Sequence, residues 1–128
     1  MVKLPEEVKN AIDKAATSCI ATADNNAVSN VVYVTYLKYL DDETIVIADN
    51  QFHKTRANID NNPKLACVVL DSDTRKAYQI KGIVKVISEG EEYQSVVEWV
   101  HINHPHLTPK AAVYLQVEEV YCGSERIA

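Results

Sequence analysis

The chain has 128 residues, 47% of them hydrophobic, and a formal net charge of −5 from 13 basic and 18 acidic side chains. That length supports one hydrophobic core without metal or disulfide staples, and the acidic balance excludes the broad basic surface of a general nucleic-acid binder. Three glycines and four prolines leave no linker or low-complexity tract, and no run approaches the roughly 18 apolar residues of a membrane span.

The opening residues, Met1 to Glu6, carry no apolar leader core. Cys19, Cys67 and Cys122 stand far apart without a C-x-x-C pair. A reduced, cytoplasmic setting is expected, with Cys19 and Cys67 serving as small buried hydrophobes inside strands.

In chain order, Leu4-Pro5-Glu6-Glu7 marks a helix start, with proline near the first position and two acids in the first turn. Val8, Ala11, Ile12 and Ala15 then recur at helical spacing, so this helix lies against a sheet or plugs one end of a barrel. Ser18 to Ala23 reads as a strand and Asp24-Asn25-Asn26 as a turn. Residues 27 to 40 are dominated by β-branched and aromatic side chains. This stretch is long for one strand, so a bulge or sharp bend is expected around Asn30 to Val34. The alternation puts Tyr33, Thr35, Leu37 and Tyr39 on one face and Val32, Val34, Tyr36, Lys38 and Leu40 on the other.

Asp41-Asp42-Glu43 turns the chain into a strand over Thr44 to Ala48, making a hairpin. A polar turn and a short helical pattern from His53 follow, ended by Asn61-Asn62-Pro63. Leu65 to Leu70 is the next strand. Ala77 to Ser88 is a strand with a clean period of two, interrupted only by Gly82, which marks a bend or a close backbone approach. Glu89 to Ile102 is helical, with Tyr93, Val96, Val97 and Val100 turned inward. Ala111 to Val120 is the last strand. Six strands joined mostly by short turns, with helices at the front and before the last strand, describe a mainly β fold: a small antiparallel barrel with peripheral helices in one domain, 1–128.

The chemistry is concentrated where the Thr44 to Ala48 strand gives way to the short helix. The first amides of a helix lack internal partners, and His53-Lys54-Thr55-Arg56 places cations and a hydroxyl beside them. Basic residues in a first turn oppose the helix dipole unless an anion offsets them. The hinge is therefore read as a phosphate site. No G-x-S-x-G, H-E-x-x-H or P-loop is present, and three glycines cannot build a dinucleotide cradle. His101, His104 and His106 straddle a helix end and Pro105. With only Glu98 nearby to complete a set, they read as helix termination, and no metal site is assigned. Seven tyrosines are many for this length and suit either a dimer face or the wall of an aromatic-cofactor pocket.

The ordered set IVIADNQFHKTRANIDNNPKLACVVLD followed by YQIKGIVKV resembles the FMN-binding split barrels of the pyridoxamine 5'-phosphate oxidase superfamily, above all its short single-domain FMN-binding proteins. The resemblance spans about residues 4 to 120, and His53 to Asn58, then Asn62-Pro63, is its most specific piece. It implies a six-stranded antiparallel split barrel of Greek-key type that dimerises with itself and binds FMN near the subunit interface. Lys54 and Thr55, with His53, would hold the phosphate. Asn30, Val31 and Val32, and the strand end at Ala48, Asp49 and Asn50, would run along the isoalloxazine and ribityl chain. Gln79 or Lys81 would add polar contacts from the strand opposite.

The implied function is that of a flavoprotein, an oxidoreductase or electron-transfer protein without catalytic side chains of its own, since the redox chemistry belongs to the flavin. True pyridoxamine phosphate oxidases carry an R-x-H arrangement near the C-terminus. Here Arg126 is followed by Ile127-Ala128, which argues against oxidation of vitamin B6 vitamers. The rival readings are a relative that uses F420 or haem, and a non-catalytic cofactor-binding or structural homodimer.

Overall fold

The computed structural model describes residues 1–128. The elements run α1 (Glu6–Lys14), β1 (Ser18–Ala23), β2 (Ser29–Val34), β3 (Leu37–Asp41), β4 (Thr44–Asp49), α2 (Lys54–Asn61), β5 (Lys64–Leu70), β6 (Ala77–Ile87), α3 (Glu91–Asn103), β7 (Ala111–Cys122) and β8 (Glu125–Arg126). All strands pair antiparallel in the order β2-β1-β5-β6-β7-β4-β3, and the two-residue β8 adds to β7.

One covalent fact shapes this sheet. β2 and β3 form its opposite ends, yet only Thr35 and Tyr36 separate them in sequence. Six strand spacings would hold the ends of a flat sheet roughly 29 Å apart, whereas the three residue steps from Val34 to Leu37 reach about 10 Å. The sheet must curl until its ends approach. The link is anchored as it crosses, because the Ala48 amide donates to the Tyr36 carbonyl at 3.0 Å. The result is an open, curled half-barrel.

The concave side holds the main core. Ile20, Ile45, Ile47, Cys67, Val69, Tyr78, Ile80 and Leu115 meet there, and α1 closes it with Val8, Ala11 and Ile12. The Tyr78 hydroxyl ties α1 down by donating to Glu7 at 2.8 Å. Burial, reinforced by that carboxylate, pushes the Tyr78 phenol up to about 12. Burial likewise raises the Cys67 thiol to about 12, so it behaves as the inert hydrophobe expected. β4 is buried on both faces. Ile45 and Ile47 look inward, while Val46 and Ala48, with Ala112, pack under Val96 and Val100 of α3.

Several expectations are corrected. The long segment 27–40 is two strands, and β8 was not foreseen, so eight strands replace six. The bend falls at Thr35-Tyr36, just beyond the interval expected, because the chain changes neighbours there, from β1 to β4. It also shifts side-chain parity. Tyr33 is exposed while Leu37 and Tyr39 pack on the main core, so the four residues assigned to one face do not share it. α3 begins at Glu91, after Gly90 at φ 92°. Gly82 serves a close backbone approach: at a bulge between β6 and β7, a methyl group there would stand 1.9 Å from the Gln116 carbonyl oxygen.

Candidate functional site

The site begins at the end of β4. Asp49 is fully buried, and its carboxylate accepts from the Phe52 amide at 3.0 Å and from Arg56 Nη1 at 3.1 Å. The Asp49 carbonyl accepts from the Lys110 amide at 2.7 Å, and the Lys110 ammonium lies 3.9 Å from the carboxylate. The turn 50–53 is thereby held so that α2 starts at the mouth of the half-barrel. Asn58 and Asn62, one helical turn apart, pin α2 to β1 by donating to Thr22 Oγ1 at 3.0 Å and the Ala23 carbonyl at 3.2 Å. Ile59 inserts into the core.

α2 has no acidic residue in its first turn and no side-chain cap from His53. Its leading amides are left for an external acceptor. Thr55 is 2% exposed, and its Oγ1 accepts from Asn30 Nδ2 of β2 at 3.0 Å. With the oxygen engaged as acceptor, the hydroxyl proton is available to a ligand.

These groups open into a cleft of about 520 Å³, within the range of cofactor sites. Seven residues singled out from the sequence line it together: Asn30, Val32, Ala48, Asn50, His53, Lys54 and Thr55. Asn50 Oδ1 is buried there without a hydrogen-bond partner, an acceptor that a ligand N–H or O–H would satisfy. No aspartate or glutamate lines the cleft, in a chain that has 18.

The other four lie elsewhere. Val31 is on the outward face of β2, 65% exposed. Asp49 has its side chain turned into the Arg56 pair beneath the cleft. Gln79 is exposed on β6, and Lys81 borders a shallower depression beside Ala21 and Lys64. Arg56, an expected phosphate donor, is engaged by Asp49 and, at 3.1 Å, by Asp60. The cleft also draws on Tyr36, one of the tyrosines expected at a dimer face or a pocket wall, and on Phe52, His104 and Leu107, none of which was named as a cofactor contact. His101, in the last turn of α3, and His104 and His106 beyond it belong to no group of three His, Cys, Asp or Glu side chains placed to hold an ion. No helix is long and apolar enough to cross a membrane.

An open curled sheet with peripheral helices is the fold of the FMN-binding split barrels. HupZ of Group A Streptococcus superposes with a TM-score of 0.87 at 25% identity over 98% of both chains. An FMN-binding protein of Syntrophomonas wolfei superposes at 0.76 with 19% identity, over 90% of this chain and 87% of its own. Residues 4–122 match the family described as pyridoxamine 5'-phosphate oxidase, and the chain belongs to that family. An uncharacterized protein of Methanocaldococcus jannaschii is 36% identical over 123 residues, covering 94% of this chain and 81% of the relative.

Proposed function

We propose that the cleft binds FMN and that the protein is a flavoprotein, an oxidoreductase or electron-transfer protein rather than an oxidase of vitamin B6 phosphates. One observation carries the reading. The uncapped start of α2, the free proton of Thr55 and the Lys54 ammonium open at one place into a cleft that excludes carboxylates and contains the unsatisfied Asn50 Oδ1. A dianionic phosphate meets the first set, and a polar flavin edge or ribityl hydroxyl meets the second. Bound FMN would supply hydride or single-electron chemistry. The chain's part is to grip the phosphate with Lys54, Thr55 and the α2 amides, and to keep the remainder against Val32, Ala48 and Phe52. Arg126, the one arginine near the C-terminus, is held by Glu119 and the Ala128 carbonyl, away from the cleft lining.

The same reading makes the protein a homodimer. The outward faces of β2, β1 and β5 set Tyr33 opposite Cys19 opposite Val68, and Val31 opposite Ala21 opposite Ala66. Tyr33 is 77% exposed and Val68 41%, an apolar surface on three adjacent strands that suits a second copy. Val31, Gln79 and Lys81 share or border that surface, so in a dimer they are positioned to approach the partner's cleft.

The deciding experiment is an absorption spectrum of purified protein before and after FMN is added, with the nucleotide released by heat and identified. A flavin spectrum near one FMN per chain is expected. Protein that neither carries nor takes up FMN defeats the reading, and F420 and haem are titrated next. Dimerisation is read separately by light scattering, where Tyr33→Lys with Val68→Glu is expected to give monomers.

A further inference from the structure

A second group of residues shapes the cleft. Tyr36, in the link between β2 and β3, is buried, and its hydroxyl meets Nδ1 of His104, the residue that ends α3. The Val100 carbonyl lies 3.5 Å from the same hydroxyl. Trp99 stands edge-on to Tyr36 with ring centroids 5.3 Å apart, and the Lys38 ammonium sits 4.3 Å from the Trp99 ring centroid. Tyr36 and His104 both line the cleft.

This arrangement decides which edge of His104 faces away from Tyr36. In neutral imidazole two forms fit these contacts: Nδ1 accepts from the Tyr36 hydroxyl and the ring proton is on Nε2, or Nδ1 donates to Tyr36 Oη and the phenol proton turns to the Val100 carbonyl. In the imidazolium, Nδ1 donates to Tyr36 Oη, whose own proton turns toward the Val100 carbonyl, and Nε2 is again protonated. Nε2 is therefore a donor in the imidazolium and in the first of the two neutral forms, and Nδ1 is the ring nitrogen that the chain itself engages. Of the apolar lining, Val34 and Leu107 form the wall that is not assigned to the flavin, and the Leu107 amide donates to the His104 carbonyl at 3.1 Å. The ionisable side chains that line the cleft, apart from tyrosines, are His53, Lys54 and His104, and none is acidic.

We propose that His104, held by Tyr36, binds the carboxylate of a second ligand, an aromatic acid whose ring lies on this apolar wall. That the site lies beside a flavin rests on the function proposed above. The carboxylate site itself does not, so the two are tested apart.

Benzoate is the probe. In protein free of nucleotide, nitrogen-15 histidine ring spectra are expected to shift saturably as benzoate is added, toward the forms of His104 that carry a proton on Nε2. His104→Ala, at an exposed position, is expected to weaken benzoate at least tenfold. His104→Gln, which retains an N–H donor, is expected to restore part of that affinity. Benzoate that leaves the His104 resonances unmoved, or binds His104→Ala as tightly as the parent, overturns the proposal. FMN titration of the same samples reports separately. A His104 response in protein that takes no FMN upholds the carboxylate site and removes the flavin reading; FMN uptake with a silent His104 does the reverse.

Discussion

Replacing Thr55 with valine removes one hydroxyl group and nearly preserves shape, at a side chain that is 2% exposed. The structure separates two costs. In the empty chain, Asn30 Nδ2 loses the acceptor it now reaches at 3.0 Å, which lowers stability by about 1 kcal/mol for a partly buried amide. With phosphate bound, a charge-assisted hydrogen bond is also lost, about 1.5–3 kcal/mol. That corresponds to roughly a ten- to hundredfold weaker Kd for FMN. Lys54 is exposed, so Lys54→Met is expected to cost about 1 kcal/mol or less and to lose its effect as salt rises. The Thr55 effect persists in salt because the hydroxyl is buried. The assay is quenching of flavin fluorescence in titrations with FMN and with riboflavin, which lacks the phosphate. Thr55→Val is expected to weaken FMN and leave riboflavin nearly unchanged. FMN affinity within about twofold of the parent, or an equal loss for riboflavin, would refute the placement of the phosphate at α2.

Other consequences follow from the packing. Gly82→Ala forces a methyl group to within 1.9 Å of the Gln116 carbonyl oxygen, and the β6–β7 ladder must open at a cost of about 3 kcal/mol, lowering Tm by on the order of 10 °C. A calorimetric Tm within a degree or two of the parent would show that the bulge is not tight. Arg56→Met leaves the fully buried Asp49 carboxylate with the Phe52 amide and the Lys110 ammonium 3.9 Å away, a loss of about 2–4 kcal/mol in urea denaturation. Adding Asp49→Asn recovers part of it; if the double variant is no better than the single one, the buried charge is not the cause. The Lys14 ammonium, 3.0 Å from both oxygens of Asp71 and aided by the Asp73 and Thr74 amides, holds that carboxyl below its ordinary value of 3.8. A lowered folded value stabilises above the ordinary one and is lost as pH falls through the folded one. Lys14→Met is therefore expected to be less stable than the parent at neutral pH, with the gap closing below pH 3.8. A gap that persists undiminished in acid would assign the loss to packing instead.

Much of the fold was legible because each signal was local. The stripe Val8, Ala11, Ile12 named the buried face of α1, and the alternation through Tyr78, Ile80, Gly82 and Val84 named the inward face of β6. The candidate phosphate hinge proposed above was visible for the same reason, since a cation and a hydroxyl at a helix start are a neighbourhood of a few residues. Residues 27–40 were misread as one strand because propensity reports a preference for extended backbone, whereas the break at Thr35-Tyr36 is imposed by a change of partner from β1 to β4. Arg56 was taken for a ligand because its sequence neighbours are Lys54 and Thr55; Asp49, buried seven positions earlier, claims it instead.

By itself, then, the sequence determined a mainly β chain with helices at its margins, a helix start that sets Lys54 beside Thr55, and a likeness to the family to which the chain belongs. Only the tertiary structure decided that the two ends of the sheet approach, that Asn30 reaches Thr55 and that Tyr36 fixes the ring of His104. Those pairs are 25 and 68 residues apart. Their meeting depends on the curl that a two-residue link forces on a seven-strand path, and a constraint set by closure of the whole sheet leaves no trace in the composition or periodicity of any one segment.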